Sequence, residues 1–149
     1  MSRIAFASDH AGYELKQELE KYVSEKGYSY TDFGTDSTAS CDYPDYAHPA
    51  AIAIEKGECD FGICMCGSGN GIQMTLNKHQ GIRAALCWKP ELAALAKAHN
   101  NANVLALGSM VVGEGLALEL IDAFLNAEFE GGRHQRRLDM LDEIRARNA

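Results

Sequence analysis

The stretch best equipped for chemistry is Cys66-Gly67-Ser68-Gly69-Asn70-Gly71, which follows the apolar run Phe61 to Met65. Three glycines on alternate residues let the backbone turn sharply and approach a ligand with no Cβ in the way, with N–H groups aimed at whatever sits there. A helix opening at the same place adds partial positive charge. The loop therefore suits an anion. Those same amides favour a thiolate over a thiol at Cys66, so a reactive sulfur is expected beside an anion cradle. The plainer alternative is a turn that merely joins a strand to a helix, with a buried and inert cysteine. The spacing matches neither GxGxxG nor the Gly-Lys-Ser/Thr ending of a P-loop, so neither a dinucleotide nor ATP is expected.

Three further groups carry polar chemistry. Asp9 and His10 end the first apolar run, and His99 and Asn100 end an alanine-rich helical segment. Arg133, His134, Gln135, Arg136 and Arg137 form the one concentrated positive patch of an acidic chain. Arg133 and Arg137 are four apart, on one helix face, where two guanidiniums suit a bidentate grip on phosphate. A solvated face paired with Asp139, Asp142 and Glu143 is the alternative, although Gly131-Gly132 directly before it suggests a close approach.

These residues must be positioned by a recurrent pattern. Arg3 to Ala7 reads as a strand, followed by a helix with Leu15, Leu19, Tyr22 and Val23 on one side. Tyr28 to Phe33 is a second strand, and Pro44 opens a helix through Ala47, Ala50, Ile52 and Ile54 to Gly57. Phe61 to Met65, Ile82 to Cys87 and Asn103 to Leu107 are three more strands. Helices are expected from the glycine loop, from Pro90, around Leu116 to Leu125, and in a charged terminal segment to Ala149. Strict alternation implies an α/β fold, a three-layer αβα sandwich on a five-stranded, parallel, doubly wound sheet of the Rossmann or flavodoxin-like kind. Ligands of such sheets sit beyond the carboxyl ends of the strands. Asp9, His10, Cys66 and Ser68 all fall there. His99 and Asn100 fall at the opposite edge, so a second subunit must bring them if they act in the same site.

Composition bounds the rest. The chain is 46% hydrophobic, enough for one compact domain over 1–149. A net charge of −7 argues against broad nucleic-acid binding. No apolar run would span a bilayer, and the start Met-Ser-Arg-Ile-Ala-Phe lacks a signal-peptide design, so no membrane partner and a cytoplasmic location are expected. Five unevenly spaced cysteines do not suggest a disulfide framework. Cys64 and Cys66 share a strand face, but no second Cys or His pair follows at zinc spacing, and no metal is expected.

Taken together, seven ordered motifs resemble ribose-5-phosphate isomerase type B, a family that also holds galactose-6-phosphate and allose-6-phosphate isomerases. They are Ser8-Asp9-His10-Ala11-Gly12, Asp42-Tyr43-Pro44, Cys66 to Gly71, Asn77-Lys78, Gly81-Ile82-Arg83-Ala84-Ala85, His99 to Gly108 and Glu130 to Arg137. The resemblance implies a cofactor-free aldose–ketose isomerase of the non-oxidative pentose phosphate pathway, taking a small sugar phosphate. It implies a homodimer or tetramer whose sites combine both subunits, with the C-terminal helix docked on a partner. Cys66 would move the proton between C1 and C2, Ser68 would hold the carbonyl or hydroxyl oxygens, and the amides of Gly67, Gly69, Asn70 and Gly71 would stabilise the enediolate. His99, with Asp9 and Tyr43 nearby, would assist furanose opening. His10, Arg133 and Arg137 would bind phosphate, and Asn100 a sugar hydroxyl. Members without the cysteine carry a Glu in the following helix; Ile72 stands here, which fits the cysteine type. One departure is Met110, where members commonly have an arginine facing the substrate, so a six-carbon phosphate is the alternative substrate. A non-catalytic phosphosugar or nucleotide sensor, and a thiol redox protein using Cys64 and Cys66, are the readings from other classes.

Overall fold

The computed structural model describes residues 2–144. Five strands, β1 (Arg3–Ser8), β2 (Ser29–Asp32), β3 (Phe61–Cys66), β4 (Ala84–Leu86) and β5 (Val104–Gly108), form one parallel sheet in the order β2-β1-β3-β5-β4. Six α-helices connect or follow them: α1 (Tyr13–Glu25), α2 (Pro44–Glu55), α3 (Asn70–Leu76), α4 (Pro90–Asn100), α5 (Glu114–Asn126) and α6 (Arg133–Asp139).

The two sheet faces are built from different residue sizes. Ile4 and Phe6, Ile63 and Met65, and Leu105 and Leu107 alternate onto one face, where they pack against Leu19 and Val23 of α1, Ala93 and Ala96 of α4, and Leu120, Ile121 and Phe124 of α5. The intervening Ala5, Ala7, Cys64, Cys66 and Val104 face the other layer, with Ala47, Ala50, Ala51 and Ala53 of α2 and Ile72 and Leu76 of α3. Small residues on both sides let α2 lie close to the sheet. That is the αβα sandwich, and the αβα layering places Cys66 on the small-residue face.

Several boundaries differ from the sequence pattern. The fourth strand shrinks from Ile82–Cys87 to Ala84–Leu86. The Arg83 amide is taken by the Asn103 side chain, and the outer edge of Ala84 is paired to both side-chain atoms of Asn77. Those asparagines stand in for strand partners and explain two of the sequence motifs as architecture. On α2, Ile52 is 42% exposed, while its neighbours Ala51 and Ala53 are buried. The terminal helix expected to Ala149 closes as α6 at Asp139; its final stretch, 145–149, lies outside the described residues. No helix among the described residues is long and apolar enough to cross a membrane.

Between β1 and β3 the winding reverses: α1 carries the chain outward to β2, while the later connections carry it to β5 and β4 on the other side. A crevice opens at such a reversal, outside the carboxyl ends of the strands.

Candidate active site

Strand register aligns the ends that frame the crevice. Ser8 pairs with Met65, and Cys66 pairs with Gly108, so Asp9, Cys66 and Ser109 emerge side by side. Asp9 is buried, and its Oδ1 accepts from the amides of Ala11 and Gly12, capping the turn that carries His10. His10 Nδ1 accepts the Cys41 amide at 3.2 Å, which ties the loop after β2 to the end of β1. Asp9, His10, Ser40, Cys41, Asp42 and Tyr43 line a cleft of about 670 Å³.

The glycine loop is shaped by contact as well as by conformation. Gly69 has φ +83°, and a Cβ there would stand 2.4 Å from Leu86 Cδ1 and 2.9 Å from the Leu107 backbone. At Gly71 a Cβ would meet the Tyr43 ring at 2.3 Å. Ser68 is exposed and its Oγ accepts the Asn70 amide at 3.2 Å, leaving the hydroxyl hydrogen free to turn outward. Cys66 is buried at 4% exposure beneath this loop. Its carbonyl accepts the Ser109 amide at 2.9 Å, and the Ser109 hydroxyl reaches the Ala11 carbonyl at 2.8 Å. Ser109 thus laces three strand ends together. No sequence motif marked it, because its role exists only once β1, β3 and β5 are neighbours.

Cys64 lies on the same face but is fully buried, and burial pushes its thiol up to about 12. That keeps Cys64 a thiol and removes the physical basis of the dithiol redox reading.

The remaining candidates form a second cluster. α4 leaves the carboxyl edge after β4 and returns to the amino edge, so His99 and Asn100 lie about 14–15 Å along the helix from its start. There His99 stacks on His134 of α6, with centroids 4.2 Å apart and planes at 13°. Glu130 sits against both, 3.6 Å from His99 Nε2 and 3.5 Å from His134 Nε2. Burial, with Arg133 next, lowers the proton affinity of His134. Arg133 and Arg137 are exposed on α6, one turn apart. The candidates therefore fall into two separate groups: Asp9, His10, Tyr43 and Cys66 to Gly71 at the carboxyl edge, and His99, Asn100, Arg133 and Arg137 at the amino edge. A larger cleft of about 1110 Å³ runs between α3, β4 and α6 and takes in Asn100, but it does not include Cys66.

His99, Glu130 and His134 hold a donor set that a metal ion uses, with the three ligand atoms within 4.8 Å of one another. The nearly parallel rings, however, direct their in-plane lone pairs side by side instead of toward a common point.

The model of one family, Ribose/Galactose Isomerase, matches residues 4–141. The chain belongs to that family. Among its members, the ribose-5-phosphate isomerase B of Escherichia coli is 47% identical over 147 residues, covering 99% of each chain. The Clostridium thermocellum ribose-5-phosphate isomerase B superposes with a TM-score of 0.95 at 46% identity, covering 99% of both chains. A Mycoplasma genitalium ribose-5-phosphate isomerase B, described with bound ribulose 5-phosphate, superposes with a TM-score of 0.90 at 42% identity, covering 98% of this chain and 96% of that one. As a member of the family, this chain is an isomerase with the parallel αβα fold of its relatives.

Proposed function

We propose that this chain interconverts ribose 5-phosphate and ribulose 5-phosphate through an enediolate, at sites that two copies of the chain complete. The observation that carries the reading is Cys66 lodged under a glycine loop at the sheet's reversal point, joined there by Asp9, His10 and Tyr43. The relatives named ribose-5-phosphate isomerase B at high identity support the substrate.

In this reading Arg133 and Arg137 of a second copy, with His10, grip the phosphate. That binding energy orients C1 and C2 over the sulfur. His99 of the second copy, with Asp9 and Tyr43, opens the furanose; Asp9 keeps Oδ2 for this, since Oδ1 is committed to the turn amides. The Cys66 thiolate then removes the C2 proton of the open aldose. The charge left on the enediolate oxygen is met by the amides of Gly67, Gly69, Asn70 and Gly71 and by Ser68, donors already in place before reaction. The resulting Cys66 thiol returns the proton to C1 while the O2 hydroxyl proton passes to O1, giving the ketose. Asn100 holds a sugar hydroxyl. None of these steps calls on a cofactor.

The homodimer, or a tetramer built from it, follows from the separation of the half-sites. The exposed Leu141 and Ile144 beside the large cleft favour a partner there, with the C-terminal segment docked on it. A single domain, a cytoplasmic location and a place in the non-oxidative pentose phosphate pathway belong to the same proposal.

Cys66→Ala should abolish turnover of ribose 5-phosphate while sugar-phosphate binding survives; a fully active variant would reject the mechanism. A second reading is the same chemistry on a six-carbon phosphate. Met110 favours it: the side chain is 83% exposed, and its sulfur stands 2.8 Å from where a Cβ on Gly67 would lie, so an uncharged group borders the loop. Comparing kcat/KM for ribose, allose and galactose phosphates decides between them.

A further inference from the structure

The contacts of Glu130 are unusual for a surface acid. It lies between α5 and α6, and its amide donates to the Ala98 carbonyl at 2.9 Å, so the backbone is locked to α4 one residue before His99. Its two carboxylate oxygens are divided between two rings, Oε2 against His99 Nε2 and Oε1 against His134 Nε2. The rings are stacked nearly parallel, and both Nε2 atoms lie on the side where the Glu130 carboxylate sits, each within ion-pair distance of a separate oxygen. The Nε2 of His134 is buried with no hydrogen-bond partner, and the carboxylate oxygen 3.5 Å away is its one ion-pair contact among the described residues.

The other charges around the pair do not compete for this place. Arg133 and Arg137 act on His134 as cations. Lys97 is turned away over the Phe61 and Phe124 rings. His134 is pushed toward its neutral form by burial and by Arg133, and a neutral ring is the better stacking platform.

We propose that Glu130 is a positioning residue for His99: anchored through Ala98, it fixes the Nε2 edge of the His99 ring, while the stacked His134 fixes the ring plane. The inference rests on the reading that His99 opens the sugar ring. It adds that the orientation of this imidazole is set within its own subunit, before any second copy or substrate arrives.

A double-mutant cycle tests it, read as kcat with ribose 5-phosphate on the full-length protein. Glu130→Gln keeps the shape and removes the charge; it should lower kcat roughly tenfold with KM held within about twofold. In a His99→Ala background the same change should cost nothing further, because the group it positions is gone. The sugar also opens unaided in water, so His99→Ala retains residual turnover against which the second arm is read. Unchanged kcat for Glu130→Gln, or an equal further loss in the His99→Ala background, would overturn the inference. A fully active His99→Ala would instead remove the reading beneath it. If Glu130→Gln does not fold, Glu130→Asp takes its place in both arms under the same criteria.

Discussion

The Tyr43 hydroxyl occupies the space that a side chain on Gly71 would need: a Cβ built on Gly71 stands 2.5 Å from that oxygen and 2.3 Å from the ring carbon bearing it. Tyr43 comes from the loop after β2 and Gly71 from the first turn of α3, so one glycine sets how far the loop closes over Cys66. Gly71→Ala should push the ring outward by an ångström or so while the protein folds. The expected result is a loss of roughly ten- to a hundredfold in kcat/KM with ribose 5-phosphate, since misplacement of that size is costly at a site that orients its substrate. Unchanged kinetics would show that the Tyr43–Gly71 contact is packing alone.

Gly69 should behave differently. Its positive φ and the backbone of Leu107 against it leave a methyl group nowhere to go, because backbone cannot swing aside as the Tyr43 ring can. Gly69→Ala should destabilise the fold by about 2–4 kcal/mol. Urea unfolding of Gly69→Ala and Gly71→Ala together should separate a stability effect from a catalytic one.

If the half-sites are completed between copies, an inactive Cys66→Ala and a strongly impaired His99→Ala should rescue one another. Mixing Cys66→Ala with His99→Ala and allowing subunits to exchange makes heterodimers with one intact and one doubly defective site. Recovery of roughly a quarter of wild-type activity is expected from random pairing of two subunits. No recovery after exchange has been verified by mass spectrometry would mean that each chain works alone.

The five thiols should separate by burial. Cys41 is the only one of intermediate exposure; Cys64 and Cys87 are buried, with thiols pushed up to about 12 and about 11 by desolvation. Alkylation near pH 8, followed by peptide mass spectrometry, should mark Cys41 early and leave Cys64 and Cys87 unmodified in the folded protein. Early modification of Cys64 would revive the redox reading.

A pH dependence of stability is built in away from the site. Glu20 is buried beside the Lys16–Asp32 pair, and its carboxyl is raised from 4.5 to about 8, first by desolvation and then by the Asp32 charge. The folded state therefore holds a proton that the unfolded state releases from about pH 4.5 upward. The stability this proton contributes is complete below that range and is lost as pH rises through about 8. Between pH 6 and 9 the loss should be about 1–3 kcal/mol, and Glu20→Gln should flatten it. Parallel urea curves for the two proteins across that range would exclude the assignment.

Much was legible in the residue order alone. Alternating apolar runs and helical periodicities dictate a parallel αβα sandwich, because strands separated by helices close only by right-handed crossovers. The glycine spacing and the cysteine before it pointed to the loop, and the positions of His99 and Asn100 at a helix end pointed to the far edge of the sheet. These are local signals, read within a few residues of each other. What periodicity could not supply was strand order and contact between distant segments. Only the tertiary structure decided that β5 lies between β3 and β4, which brings Ser109 against the Cys66 carbonyl. It alone seated the Tyr43 ring on Gly71 and buried Cys64 out of reach. It also stacked His99 on His134 with Glu130 spanning both, a grouping that α4, α6 and the segment before α6 create only when packed. Contacts across such separations in the chain depend on how whole elements settle against one another, and no stretch of sequence encodes them by itself.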